Sequence, residues 1–308
     1  MTKTAVTRVT AVSYSRHRTK FVSNQLGEQR MSRRKFLGAG LLAFGGAVAA
    51  TTYHINTNDE SDQLVVERLT LPIRNLAPSL EGFRLVALGD FHLRPFTQPQ
   101  LVRQAVELAN SLQPDLTVLL GDYVWRDVEA IFELAPILAH LNARQGVYAI
   151  MGNHDLWTDV NIVQTGFDES RLPVLINQGL PITQGGGSFY LAGLDDGWAG
   201  KPDLAAALSN GSADLPVVLL LHEPDLADTY ARYPEIALQL SGHSHGGQIR
   251  FPRLGGALIL PYLGRKYDMG LFQVKDLWVY TNRGIGVTNE PVRFNCPPEI
   301  TEITLIAA

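Results

Sequence analysis

The 308-residue sequence contains one cysteine, Cys296. Alone, it forms no internal disulfide, and no thiolate cluster is available to hold a metal. No reactive motif surrounds it, so it reads as a small packing residue. Excess charge is lacking too: 26 Lys and Arg stand against 30 Asp and Glu, for a net charge of −4 and a pI near 6.1. That balance offers no general basic surface for nucleic acid. No repeat at solenoid spacing is visible. The apolar stretch near the N-terminus, residues 38–50, falls short of the roughly 20 residues that a spanning helix requires. What remains is ordinary for a folded chain, 45% hydrophobic and 18% charged, and long enough for one large core.

The first 50 residues differ from the rest. Residues 1–30 carry Lys3, Arg8, Arg16, Arg18, Lys20 and Arg30 with little apolar periodicity. Arg33 and Arg34 then form a twin-arginine pair inside Ser-Arg-Arg-Lys-Phe-Leu, followed by a Gly/Ala/Leu stretch and an A-x-A pattern at Ala47-Val48-Ala49. A charged region, a short apolar region and a small-residue exit describe an export signal. The signal is complete from Met31, so a start there is expected to serve as well as Met1. The expected localisation is outside the cytoplasm: the periplasm, the outer face of the cytoplasmic membrane, or the cell wall. The twin-arginine export machinery is the expected partner, and an uncleaved signal would act as a membrane tether. The organisation read from this is a basic extension and signal at 1–50, a polar linker at 51–62, and one domain at 63–308.

In the domain, apolar runs ending in polar clusters alternate with amphipathic stretches. FRLVAL (83–88), LTVLL (116–120) and GVYAIM (146–151) read as buried strands. Residues 98–111 and 127–141 read as the intervening helices, with Leu101, Val102, Ala105, Leu108 and Ala109 on one face of the first. The alternation predicts parallel βαβ units, whose ligands gather at the carboxyl ends of the strands. The second half is richer in strands: 188–196, 216–222, a run into SGHSH, and segments near 257–260, 269–274, 277–281 and 299–306. Residues 184–187 and 274–277 read as hairpin turns.

The polar clusters are Asp90-x-His92, Gly121-Asp122, Gly152-Asn153-His154-Asp155, His222 and Gly242-His243-x-His245. They hold five of the eight histidines, each after an apolar strand-like run. Imidazole, carboxylate and one amide, without sulfur, suit Mn, Fe or Zn better than copper. With only two carboxylates among the neutral ligands, a pair of divalent ions would keep much of its charge, which attracts phosphate. Outside these clusters, His17, His54 and His140 lack motifs. Arg283 and Arg293 read as structural or as grips for an anion. Tyr262, Arg265 and Tyr267 sit in PYLGRKYDMG, a loop suited to the mouth of a site.

The ordered set D-x-H, GD, GNHD, H, GHxH resembles the calcineurin-like metallophosphoesterases over about residues 83–250. Further on, HGGQIRFP (245–252), NRGIGV (282–287) and PVRFNCPPEI (291–300) look like the bacterial, twin-arginine-exported branch of phosphodiesterases related to YkuE and YaeI. The resemblance implies an α/β (α+β) fold, a four-layer αββα sandwich of two mostly mixed sheets flanked by helices. It implies two divalent ions (Mn, Fe or Zn): one held by Asp90, His92, Asp122 and His245, the other by Asp122, Asn153, His222 and His243. Asp122 bridges in this scheme. His154 is the implied catalytic histidine beside the phosphate, with Asp155 orienting it. The implied reaction is hydrolysis of a phosphate ester, most readily a phosphodiester, by hydroxide activated between two metals. The implied substrate is a phosphate-ester small molecule or lipid head group, with no specific nucleic acid. A second reading is a membrane-associated pyrophosphatase acting on a lipid-linked or nucleotide-sugar substrate such as UDP-2,3-diacylglucosamine. A non-catalytic scaffold would tolerate lost ligands, and none is lost here.

Overall fold

A computed structural model describes residues 33–308 apart from 212–213, 252–255 and 258. The basic extension at 1–30 lies outside the described residues. The chain divides into two compact units, Met1–Ala50 and Thr51–Ala308. Helix α1 (Arg33–Thr57) occupies the described part of the first unit and ends inside the second. Leu41, Phe44 and Val48 on it are exposed. No helix among the described residues is long and apolar enough to cross a membrane.

Residues 51–62 depart from the linker expectation. Helix continues to Thr57, and the turn after it is anchored to the C-terminal segment. The Asp59 carboxylate accepts the Arg293 N–H at 3.0 Å, and Glu60 accepts the Cys296 N–H at 2.8 Å. Polar side chains that look solvated in sequence are here satisfying backbone donors of a distant loop.

The second unit contains two large sheets. The first comprises β1 (Val65–Ile73), β2 (Phe83–Leu88), β3 (Leu116–Leu119), β4 (Val147–Ala149) and, from the C-terminus, β13 (Glu299–Ala307). Their spatial order is β1-β13-β2-β3-β4, parallel except where β13 meets β2. The second comprises β5 (Gln178–Gln184), β6 (Gly187–Gly193), β7 (Val217–Leu220), β8 (Ile236–Ser241), β11 (Gly270–Val274) and β12 (Leu277–Thr281), in the order β11-β12-β8-β7-β6-β5. A short hairpin, β9 (Arg250–Phe251) and β10 (Gly256–Ala257), stands apart. The turns expected at 184–187 and 274–277 join β5 to β6 and β11 to β12.

The apolar runs are strands because both of their faces are covered. Leu85, Ala87, Leu116 and Val118 pack between the sheets against Phe189, Leu191, Val218, Leu220 and Leu238. Val86, Leu88 and Leu119 turn to the outer face of the first sheet. There they meet α2 (Pro99–Ser111), α3 (Ile131–Leu138) and α5 (Val160–Glu169); between the last two comes the short α4 (Asn153–Thr158). On α2, Val106 is buried and Leu108 only partly so, a small rotation from the expected face. The outer face of the second sheet packs on α6 (Leu204–Ala207) and α7 (Ala227–Tyr230). The result is the expected four-layer αββα sandwich. β1 was not evident in the sequence because VVERLTLPI is only half apolar; its register comes from nine paired positions on β13.

Candidate metal centre

Each polar cluster leaves the carboxyl end of a strand. Asp90 and His92 follow β2, Asp122 follows β3, Asn153 and His154 follow β4, His222 follows β7, and His243 and His245 follow β8. The two sheets lie face to face, so their adjacent edges bring all five loops together. Tight turns aim the side chains. Asp90 (φ 49°), His92 (41°), Asp122 (56°), His243 (72°) and His245 (53°) all take left-handed backbone. Asp and His tolerate that region better than most residues, yet five such residues at one spot mark a site held by its surroundings. Glycine is required at Gly152 and Gly242, where a Cβ would run into the carboxylates of Asp122 and Asp90.

The side chains fall into two groups. Ligating atoms of Asp90, His92 and His245 lie within 4.8 Å of one another, and so do those of Asp122, His222 and His243. Asp122 Oδ2 stands between the groups, 3.3 Å from His92 Nε2 and 3.2 Å from His222 Nε2. His92 Nε2 and His245 Nε2 face each other at 2.9 Å. Outer partners set the rings. His222 Nδ1 donates to the Leu120 carbonyl at 2.6 Å, leaving Nε2 as the atom that faces the centre. His243 Nε2 lies 2.7 Å from the Tyr262 carbonyl, so its Nδ1 is the inward atom.

These residues fit a pair of cations. Buried polar atoms ordinarily have hydrogen-bond partners. Here Asn153 Oδ1 is buried with none among the described residues. It is an electron-pair donor at the convergence point, as are the opposed nitrogens of His92 and His245. Imidazole and carboxylate without thiolate form a donor set for borderline or hard divalent ions. Two candidate metal sites sharing Asp122 are consistent with a dinuclear centre.

The electrostatics follow from burial. Burial drives the imidazoles of His243 and His154 down to about 4 and that of His245 well below the ordinary value, so all three are neutral. Burial also works against charge on His222 and Asp122, but the two overcome it together. Asp122 holds His222 well above its ordinary 6.5, and the charged His222 holds Asp122 well below the ordinary carboxylate value. A cation entering the second group must displace the His222 proton. Metal affinity is therefore expected to rise with pH above 6.5, until the raised His222 value is passed, with about one proton released per ion bound there. Calorimetric titration with Mn²⁺ in buffers of different ionisation enthalpy measures the release; an affinity flat from pH 6.5 to 8.5 would contradict the pairing.

Asp155 does not orient His154, contrary to expectation. Its buried carboxylate accepts backbone N–H groups from Asp122 and Tyr123 at 2.9 Å each, from Gly152 at 2.9 Å and from Val124 at 3.4 Å. Among the described residues no hydrogen bond joins it to the His154 ring. Asp155 is a positioning residue that ties the Asp122 loop to the Asn153 loop. Asp155→Ala, which leaves those N–H groups buried without acceptors, should cost about 3–5 kcal/mol of stability. Thermal melting of the metal-free protein measures it, and a melting temperature within about 2 °C of the parent would refute the role.

His154 lies at the edge of the centre. Its N–H donates to Asp122 Oδ1 at 2.9 Å, and its ring sits 4.9 Å from that of His92. A cavity of about 400 Å³ opens beyond it, reaching Asp122, Asn153, His243 and His245. Trp125, Trp157 and Trp198 line that cavity. None was singled out from sequence, although Trp125 and Trp157 follow Asp122 and His154 by three residues, in GDYVW and GNHDLW. Of the loop PYLGRKYDMG, Pro261 lines the cavity and Tyr262 packs on Trp198 at 5.5 Å. Lys266 and Tyr267 turn instead to Asp228, and the backbone N–H of Arg265 bonds Asp225. Arg283 pairs with Glu67 and Glu299, and buried Arg293 donates to the carbonyls of Arg283, Gly284, Gly286 and Cys296. Both are structural clamps on the loops behind the centre.

A family model described as calcineurin-like phosphoesterase matches residues 83–247, more than half of the chain. The chain belongs to this family. It is 34% identical over 286 residues to the uncharacterized metallophosphoesterase YkuE of Bacillus subtilis, covering 90% of this chain and 98% of that one. It is also 34% identical over 250 residues to the phosphodiesterase YaeI of Escherichia coli, covering 79% and 88%. Among solved structures, the NAD nucleotidase of Haemophilus influenzae aligns at 18% identity and a TM-score of 0.44, over 66% of this chain and 45% of that one. The calcineurin-like chain is thus a metal-dependent phosphoester hydrolase. The matched span contains every residue of the two candidate metal groups, together with Asn153 and His154.

Proposed function

We propose that the enzyme hydrolyses phosphodiester bonds at a dinuclear centre of Mn, Fe or Zn, outside the cytoplasm. The observation that carries this reading is Asp122 Oδ2 placed 3.3 and 3.2 Å from histidines of two separate ligand groups. Asp90, His92, Asp122 and His245 would hold one ion, and Asp122, Asn153, His222 and His243 the other. When bound, such a pair polarises phosphoryl oxygens and lowers the pKa of water toward about 7.

The chain's own residues do the rest. Neutral His243 and His245 leave the pair's positive charge largely uncompensated, which favours a phosphate anion in the cavity. His154, neutral in the open cavity, would take a proton from solvent water as the anionic ester seats beside it. It then delivers that proton to the departing alkoxide. Asp155 holds the two loops that fix Asp122 and His154 at that distance.

The test is activity of the metal-loaded protein on nitrophenyl diesters and monoesters, cyclic nucleotides and UDP-2,3-diacylglucosamine. Faster turnover of diesters than monoesters is expected; no turnover with Mn, Fe or Zn would overturn the enzyme reading. A preference for the last substrate would favour the second reading, a membrane-associated pyrophosphatase. What supports that reading is the apolar, exposed surface of α1, with Leu41 and Phe44.

Export by the twin-arginine machinery rests on Arg33 and Arg34 ahead of the Gly/Ala/Leu stretch. Replacing both with lysine should leave the protein in the cytoplasm on fractionation. Unchanged export would refute it.

A further inference from the structure

The cavity beside the metal centre has walls of an unusual kind for a site that takes anions. Trp157 and Trp198 meet edge to face at 4.7 Å, and Trp198 meets Tyr262 at 5.5 Å. These rings are 49%, 41% and 55% exposed, and Ile259 beside them is 81% exposed. Aromatic and aliphatic side chains left open to water at one place mark a surface meant to be covered. This one is continuous with the centre, since the Trp157 ring lies 4.9 Å from His154 and the Trp198 ring 5.8 Å from His243. Whatever is bound at the metals therefore has its remainder against these rings.

The chemistry of the walls selects that remainder. No lysine or arginine lines the cavity among the described residues. Apart from the metal-centre side chains, Glu290 is the one charged lining residue among them, and it repels a second phosphate. A planar base is held best between parallel faces, whereas these rings stand at 79° and 68° to each other. Ile249, Ile259 and Pro261 add aliphatic carbon to the wall, and Ser244, Gln248, Thr288 and Asn289 form its uncharged polar part.

The wall is also prepared in advance. Asp196 is fully buried and accepts the N–H of Trp198 at 2.9 Å, while Glu223, also buried, accepts that of Gly197 at 2.8 Å. Pre-organisation of this kind lowers the ordering cost of binding.

Resting on the phosphoesterase reading, we propose that Trp157, Trp198, Tyr262 and Ile259 form a subsite for an aliphatic chain, and that the substrate is a lipid-like ester of phosphate with an uncharged apolar group. The full-length, metal-loaded protein is offered methyl, butyl and octyl 4-nitrophenyl phosphodiesters, with the thymidine ester alongside. kcat/KM should rise about threefold for each buried methylene, mostly through KM. Trp198→Ala and Trp157→Ala should each shrink the octyl-to-methyl ratio at least tenfold. A flat series with turnover intact overturns the subsite and leaves the phosphoesterase reading standing. A thymidine ester faster than the octyl ester overturns the aliphatic occupant.

Binding provides a readout apart from turnover. Three of the four tryptophans line the cavity. Octyl phosphate should shift their emission to the blue, and inorganic phosphate should not. If no ester is turned over, the phosphoesterase reading falls, and an emission unmoved by octyl phosphate then removes the subsite as well.

Discussion

Asp122→Asn is expected to strip the protein of most of its metal and to lower hydrolysis by about 10³-fold or more. Asp122 Oδ2 is the atom within 3.3 Å of His92 and within 3.2 Å of His222, so its charge serves both ligand groups. Its other oxygen accepts the His154 N–H at 2.9 Å, and so also fixes the proposed proton donor. The amide is nearly the same shape, and what is lost is one negative charge between two candidate cation sites. Without it, His222 loses the partner that keeps it protonated in the metal-free protein, and its value should fall. Elemental analysis of the purified variant should give fewer than one ion per chain, against two for the parent. Two ions retained with activity intact would remove Asp122 from the bridging position.

His154→Ala is expected to behave oppositely with respect to metal. His154 belongs to neither ligand group, so two ions should remain bound while turnover falls 10²–10⁴-fold. The loss should depend on the leaving group. An alkoxide needs a proton as it departs, whereas a nitrophenolate is stable without one. Alkyl esters should therefore lose at least ten times more rate than nitrophenyl esters. Equal losses would mean that His154 only donates a hydrogen bond to the phosphoryl group. His154→Gln separates these cases further, since an amide can donate a hydrogen bond but cannot transfer a proton. It should rescue little activity on alkyl esters.

Much of the site was legible because it is written at strand ends. Asp90, His92, Asp122, Asn153, His222, His243 and His245 each follow an apolar run that has to be buried. Buried parallel strands expose their carboxyl ends together. Five clusters at five such ends are thus legible without coordinates, and so is the identity of the donor atoms. The role of Asp155 was not legible. Its neighbour in sequence is His154, but its carboxylate turns inward to N–H groups that only the fold brings there. The tryptophans were hidden for a related reason. Trp198 is 41 residues from Trp157, and their contact exists only because the β6–β7 connection folds over the α4 loop.

By itself, the sequence determined the chemistry of the candidate centre: which side chains offer ligand atoms, and that no thiolate cluster competes with them. It also determined that runs such as LTVLL and PVVLLL are strands covered on both faces, whereas the pairing of two sheets was implied by the family resemblance. The division of the ligands, implied by the family resemblance, acquires its geometry from the tertiary structure. His243 and His245 are two residues apart and belong to different groups. Left-handed backbone at both, with glycines at 246 and 247, lets one loop point its rings in two directions. Tertiary structure also decided what surrounds the centre: clamps at Arg283 and Arg293, and a wall of tryptophans. Local sequence sets what a residue can do, whereas long-range packing sets what it faces.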